Sequence, residues 1–118
     1  MTEPLIPLVQ AWPPEFVQRY RAADYWRGDT FPAVLRRCAS EFAQRTAVVS
    51  GSERVTYAEL NRRAEAIGAG LLALGLARGD RVIVQLGNTT AFYATVWGLF
   101  RAGLVPMFAL AAQRITEI

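Results

Sequence analysis

Val55 to Asn88 reads VTYAELNRRAEAIGAGLLALGLARGDRVIVQLGN, and this stretch decides the fold. Thr56 and Glu59 have capping-box spacing, so the Thr hydroxyl and the Glu carboxylate can satisfy unpaired amides at a helix start. Leu60, Ala64, Ile67, Leu71 and Leu74 then recur every three or four residues, which predicts one apolar helical stripe. Gly75 is placed to end that helix in a left-handed conformation. After the turn at Gly79 and Asp80, the run Arg81-Val82-Ile83-Val84-Gln85-Leu86 is short, β-branched and mostly apolar, as expected of a strand covered on both faces.

The flanks extend the pattern. Residues 1–28 form a Pro- and aromatic-bearing arm, in which Pro13-Pro14 opens a short helical turn and Phe16 and Tyr20 lie one turn apart. Trp12, Tyr25 and Trp26 add large amphipathic side chains, and the arm is read as lying across a partner surface rather than forming an aromatic cage, because nothing converges on one point in sequence. Residues 29–118 form the α/β part. Asp29 or Thr30 can cap a helix from Phe31 to about Gln44. Ala47-Val48-Val49 and Arg54-Val55-Thr56 flank Ser50-Gly51-Ser52-Glu53, a hairpin signature. Downstream, Thr89 or Thr90 can cap a second long helix bearing Phe92, Tyr93, Val96, Leu99 and Phe100, which Gly103 ends. Leu104 to Leu110 reads as another strand, with Pro106 restricted to its first residues or to a sheet edge. A strand, a helix and a strand in this order predict parallel pairing with a right-handed crossover. Gln113 to Ile118 looks like the beginning of a helix.

At 118 residues the chain allows one compact domain, whose folding would remove roughly two thirds of the unfolded surface from water. The hydrophobic fraction of 53% is rich for a free-standing domain of this size, which predicts apolar surface covered by something else. The net charge is +3, and all 13 basic residues are arginine, scattered among ten acids. That dispersal argues against nucleic acid as a partner. Met-Thr-Glu-Pro at the start carries no basic segment or signal-type core, and no apolar run is long enough to span a bilayer, so the expected compartment is the cytoplasm, with no membrane partner.

The chemistry-bearing residues are few. Cys38 is the single cysteine, on the stripe Phe31, Val34, Leu35, Cys38, Phe42, and reads as a buried core thiol, because the chain has no His to activate it. The loop Leu86-Gly87-Asn88-Thr89-Thr90 precedes a helix, where anions bind, but it has one Gly and no Lys and matches neither dinucleotide nor P-loop patterns. Asn88-Thr89-Thr90 fits a glycosylation pattern without a secretory context. Asp80 is placed to bond local amides. Asp24 and Asp29 flank a polar-aromatic cluster, Tyr25-Trp26-Arg27-Gly28. No carboxylate pair shares a helical face and no metal-ligand cluster is present. The sequence therefore assigns no catalytic residue, no cofactor-binding residue and no metal ligand.

Several segments together resemble a known family. The stretches Arg19-Tyr20-Arg21-Ala22-Ala23 with Tyr25-Trp26, Val55 to Asn61, Gly75 to Val82, Gln85-Leu86-Gly87-Asn88 and Gly103-Leu104-Val105-Pro106 resemble the adenylate-forming enzymes. The arm, Gln85 to Asn88, and Val105 to Leu110 with Gln113-Arg114 and Glu117-Ile118 are similar specifically to aryl acid–AMP ligases of siderophore assembly, which act on 2,3-dihydroxybenzoate or salicylate. One departure is Ala112-Gln113-Arg114, where such ligases often carry a His before the Arg. The resemblance implies an α/β fold: the N-terminal part of the large adenylate-forming domain, truncated, with a β-hairpin and a β-α-β unit in a largely parallel sheet. It implies ATP and Mg as cofactors of the whole enzyme, an aryl acid and an aryl carrier protein as partners, and the remainder of a split ligase as a further partner. The family's phosphate loop with its Lys, its adenine and ribose contacts and its mobile C-terminal Lys come later than this segment. The resemblance therefore places no cofactor on this chain itself and implies that it is inactive alone. Alternatives left open are another acyl-activating enzyme, such as an acyl-CoA synthetase, and a non-catalytic stand-alone α/β binding module.

Overall fold

The computed structural model describes residues 11–114 and Thr116. The readings of the first ten residues, and of most of the helix expected from Gln113 to Ile118, fall outside that range. Within it, Gln113 and Arg114 are not helical. The chain divides into two compact units, Met1–Thr30 and Phe31–Ile118.

In the first unit Pro13 caps and Pro14 opens helix α1, Pro14–Ala22. The fixed proline φ suits a first helical turn, and the missing amide costs nothing there. After α1 the chain doubles back: Asp24 takes a positive φ of 59°, and the amides of Tyr25 and Trp26 both donate to the Tyr20 carbonyl. That reversal gathers aromatic rings the sequence reading kept apart. Tyr20 lies 5.2 Å from Trp26, 6.3 Å from Trp12 and 6.4 Å from Tyr25, ring centre to ring centre. The aromatics of the arm do converge, and backbone folding at Asp24 is the reason.

The second unit begins with α2, Phe31–Glu41. It is shorter than the stripe predicted, because after the last helical bond, from the Phe42 amide to the Cys38 carbonyl, the Arg45 amide donates to the Phe42 carbonyl in a turn that leads into the first strand. Of that stripe only Leu35 is buried; Cys38 is half-buried, a correction to its reading as a core thiol, and Phe31 stacks on Phe100 at 4.7 Å instead of entering the core. Strands β1, Thr46–Ser50, and β2, Glu53–Thr56, form the expected hairpin, with Ser50 opposite Glu53 across Gly51-Ser52 and a bulge near Ala47.

Helix α3, Tyr57–Ala73, starts as the sequence predicts: the Thr56 hydroxyl accepts the Glu59 amide at 3.2 Å. The reciprocal half of the capping box is replaced, since the Glu59 carboxylate takes Arg62 and Arg63. Leu60 and Ala64 are buried, whereas Leu74 is 78% exposed because it occupies the cap position beyond the last helical turn. The helix closes in a Schellman motif: Gly75, at φ 95°, donates to the Leu72 carbonyl and Leu76 to the Leu71 carbonyl. Helix α4, Thr90–Arg101, closes the same way through Gly103, with Leu104 donating to Leu99. Each closure sends the chain directly towards a strand, β3, Arg81–Val84, and β4, Val105–Phe108.

These strands pair in parallel, Arg81 opposite Val105 through Val84 opposite Phe108, as the strand–helix–strand order predicted. Pro106 is the second residue of β4, whose one partner among the described residues is β3, so its missing amide leaves no gap in the ladder. Val82 and Val84 pack with Leu99 and Leu104 beneath α4. The other face corrects the expectation of a strand covered on both sides: Ile83 is 51% exposed and its neighbour Met107 is exposed too. α3 and α4 cross through small residues. A Cβ added to Gly68 would lie 2.9 Å from the Gly98 carbonyl oxygen, and the rim of the crossing is tied by Arg101 to Asn61 and Glu65.

Candidate functional site

In open sheets with parallel strands, ligands meet the fold outside the carboxyl ends of the strands. Here that edge is the loop Leu86–Thr89, the first turn of α4, and Phe108 to Ala111. They enclose an open cavity of about 360 Å³. Phe92 and Phe108 form its aromatic wall, with ring centres 5.7 Å apart, and Asn88 brings an amide to it. Two side-chain clamps hold the edge. Gln85 donates to the carbonyls of Leu110 and Gln113 at 3.0 and 2.7 Å, and the Gln113 side chain accepts the Leu110 amide at 2.6 Å. On the other side the Thr90 hydroxyl donates to Glu53 at 2.6 Å.

The structure sorts the residues the sequence singled out. Thr89 takes the cap position of α4 but its side chain makes no cap bond, and Thr90 spends its hydroxyl on the hairpin instead of on the helix end. Asp80 accepts the Ala77 amide at 2.7 Å, the local bond expected of it. Asp29 pairs with Arg27 at 3.9 Å on the surface. Cys38 stands apart from the sheet edge, lining a cavity of about 420 Å³ with Val34, Val48, Tyr57, Tyr93 and Trp97. That cavity is larger, but it touches neither parallel-strand end. Sequence spacing did not find the Glu53–Thr90 bond, which joins residues 37 apart.

Charge at the site's flank is organised by two carboxylates. Glu59 receives Arg62 through two bonds, at 2.8 and 2.7 Å, and Arg63 at 2.7 Å, and these contacts, Arg62 first, hold its carboxyl down to about 2. Glu53 is also lowered, by the Thr90 hydroxyl first and Arg63 second. A carboxyl lowered on folding stabilises the native state above its unfolded pKa, and that contribution is lost as protons bind. For Glu59 the loss runs from about pH 4.5 down to about 2. Urea midpoints should therefore show Glu59→Gln below wild type at pH 6, with the gap closing as pH falls through that window. A gap independent of pH would contradict the assignment.

The family model for AMP-binding enzyme matches residues 35–118, and the chain belongs to that family. It is 40% identical over 107 residues to the 2,3-dihydroxybenzoate-AMP ligase of Bacillus subtilis, covering 91% of this chain and 20% of that protein. It is 38% identical over 112 residues to a Mycobacterium tuberculosis protein named salicyl-AMP ligase / salicyl-S-ArCP synthetase, covering 91% and 20%. The apo structure of Mycobacterium smegmatis MbtA superposes with a TM-score of 0.89 at 43% identity, over 96% of this chain and 21% of that one. The fold is thus the mixed α/β arrangement of the N-terminal part of an adenylate-forming domain. The chain spans about a fifth of the length of the curated relatives it matches.

Proposed function

We propose that this chain is the N-terminal scaffold of an aryl acid–AMP ligase of siderophore biosynthesis, working in the cytoplasm. The observation that carries the reading is the match of nine-tenths of the chain to aryl acid–AMP ligases at about 40% identity. In the whole enzyme the carboxylate of 2,3-dihydroxybenzoate or salicylate attacks the α-phosphorus of ATP and pyrophosphate leaves. The aryl-AMP then passes its acyl group to the phosphopantetheine thiol of an aryl carrier protein, releasing AMP. Catalysis of this kind is positioning plus stabilisation of developing charge.

This chain's residues supply the positioning. β3 and β4 present their carboxyl ends at one edge, and the Gln85 and Glu53 clamps fix the loops around it. Mg would neutralise phosphate charge in the whole enzyme. Among the described residues no group of three or more His, Cys, Asp or Glu is placed to hold a metal ion, and none is assigned to it. Likewise, no described helix is long and apolar enough to cross a membrane.

The test is a segment exchange: residues 12–114 of this chain replace the matching segment of the Bacillus subtilis ligase. The chimera is expected to keep ATP–pyrophosphate exchange dependent on 2,3-dihydroxybenzoate within about tenfold of the parent, a change of about 1.4 kcal/mol in barrier. A folded chimera without acid-dependent exchange would overturn the proposal.

A further inference from the structure

Thr90 is the one buried polar residue among those described, 6% exposed, at the first position of α4. A buried hydroxyl is costly unless paired, so where its bond goes is informative. It does not serve the helix. It reaches Glu53 Oε2 at the hairpin turn, 2.6 Å away. The other Glu53 oxygen accepts from Arg63 at 3.1 Å, and Arg63 is held in turn by Glu59 at 2.7 Å, so the carboxylate is anchored to α3. The loop before Thr90 has little structure of its own: the Thr89 amide donates to the Gly87 carbonyl at 2.8 Å, and the Thr89 side chain caps nothing. A second, longer tie runs from the Ser50 hydroxyl to the Asn88 carbonyl at 3.5 Å, again from hairpin to loop.

We propose that Glu53 and Thr90 are a positioning pair: anchored on α3, the carboxylate holds the Gly87–Thr89 loop, through the Thr90 hydroxyl, at the substrate edge of the β3–β4 sheet. The inference rests on the functional reading above, which makes that edge the place where substrate meets the fold. The hairpin is then not mere covering for the core. It sets where the Asn88 amide stands relative to the Phe92–Phe108 wall.

Hydrogen exchange of the full chain, followed by mass spectrometry, tests the pair. Thr90→Val and Glu53→Ala should speed exchange in residues 86–92 about tenfold, the weight of one hydrogen bond to a charged group. Residues 60–70 should change by less than about twofold, since the opening is local. Thr90→Ser restores the hydroxyl and should restore wild-type exchange. Glu53→Gln keeps an acceptor of the same size and should fall between, so both conservative variants remain readable if a harsher one does not fold. An unchanged loop, or acceleration spread equally over α3, would overturn the proposal. In the chimeric ligase Thr90→Val should raise KM for acid or ATP while kcat stays within about threefold, because a misplaced loop weakens binding geometry. Unaltered kinetics in an active chimera would reduce the pair to a structural tie and refute its positioning role. An unsubstituted chimera that is itself inactive counts against the function, and leaves the exchange result to decide the pair.

Discussion

Replacing Gly98 with valine should cost about 3 kcal/mol of stability, a large share of the roughly 5–15 kcal/mol typical of a domain. A Cβ at this position would lie 2.8 Å from Ile67 Cγ2, 2.9 Å from Ile67 Cβ and 3.0 Å from the Ala64 carbonyl oxygen. Neither a β-carbon nor a backbone oxygen can rotate away, so the helices must separate, and with them the core formed by Ala64 and Ala94. Even Gly98→Ala, which gains about 1 kcal/mol of helix propensity, should be destabilising on balance, because overpacking costs about 1–3 kcal/mol. Gly70 supplies the control. It lies on α3 with nothing within 4 Å of an added Cβ, so Gly70→Ala should stabilise by about 0.5–1 kcal/mol. Urea unfolding followed by the fluorescence of Trp97, on α4, measures both. Equal effects at the two glycines would show that backbone propensity, and not the crossing, governs α3 and α4.

The contrast between these glycines also shows how far the sequence could be read. Features set by neighbours along the chain were readable: the Thr56 cap, the helix ends at Gly75 and Gly103, the hairpin around Gly51 and the parallel β3–β4 pair all follow from local spacing, although the strands extend one residue further into the turn than the spacing suggested, to Ser50 and Glu53. Features set across the fold were not. Gly68 and Gly98 look like weak helix residues until the opposing helix is in place. The Thr56–Glu59 spacing promised a reciprocal capping box, but two arginines on the next turn offered the carboxylate stronger, charge-assisted bonds. Thr89 and Thr90 were interchangeable as caps in sequence, and only the arrival of Glu53 from the hairpin distinguishes them. The aromatics of the arm were misread because their convergence depends on a reversal at Asp24, a non-glycine residue at positive φ. As for β3, an apolar run predicts a buried strand, and it does so whether or not the chain itself supplies both covers; here Ile83 and Met107 stay uncovered.

The surplus apolar surface and the sparse chemistry lead to the second large effect, on catalysis. The chain has no Lys and no His, and its loop at the sheet edge has one Gly, so the cationic side chains it can offer ATP phosphates are arginines alone. Adenylation develops negative charge on phosphate oxygens, and removing even one preorganised donor that stabilises developing charge costs on the order of 10²–10³ in rate. Lacking any lysine to hold those phosphates, the chain alone should fall by several such factors, to background. Acid-dependent ATP–pyrophosphate exchange should accordingly be measured with the purified chain, with the 2,3-dihydroxybenzoate-AMP ligase of Bacillus subtilis lacking its matching segment, and with the two mixed. A scaffold predicts background from each part and exchange restored on mixing, whereas exchange by the chain alone, altered by substitutions within it, would contradict the scaffold role.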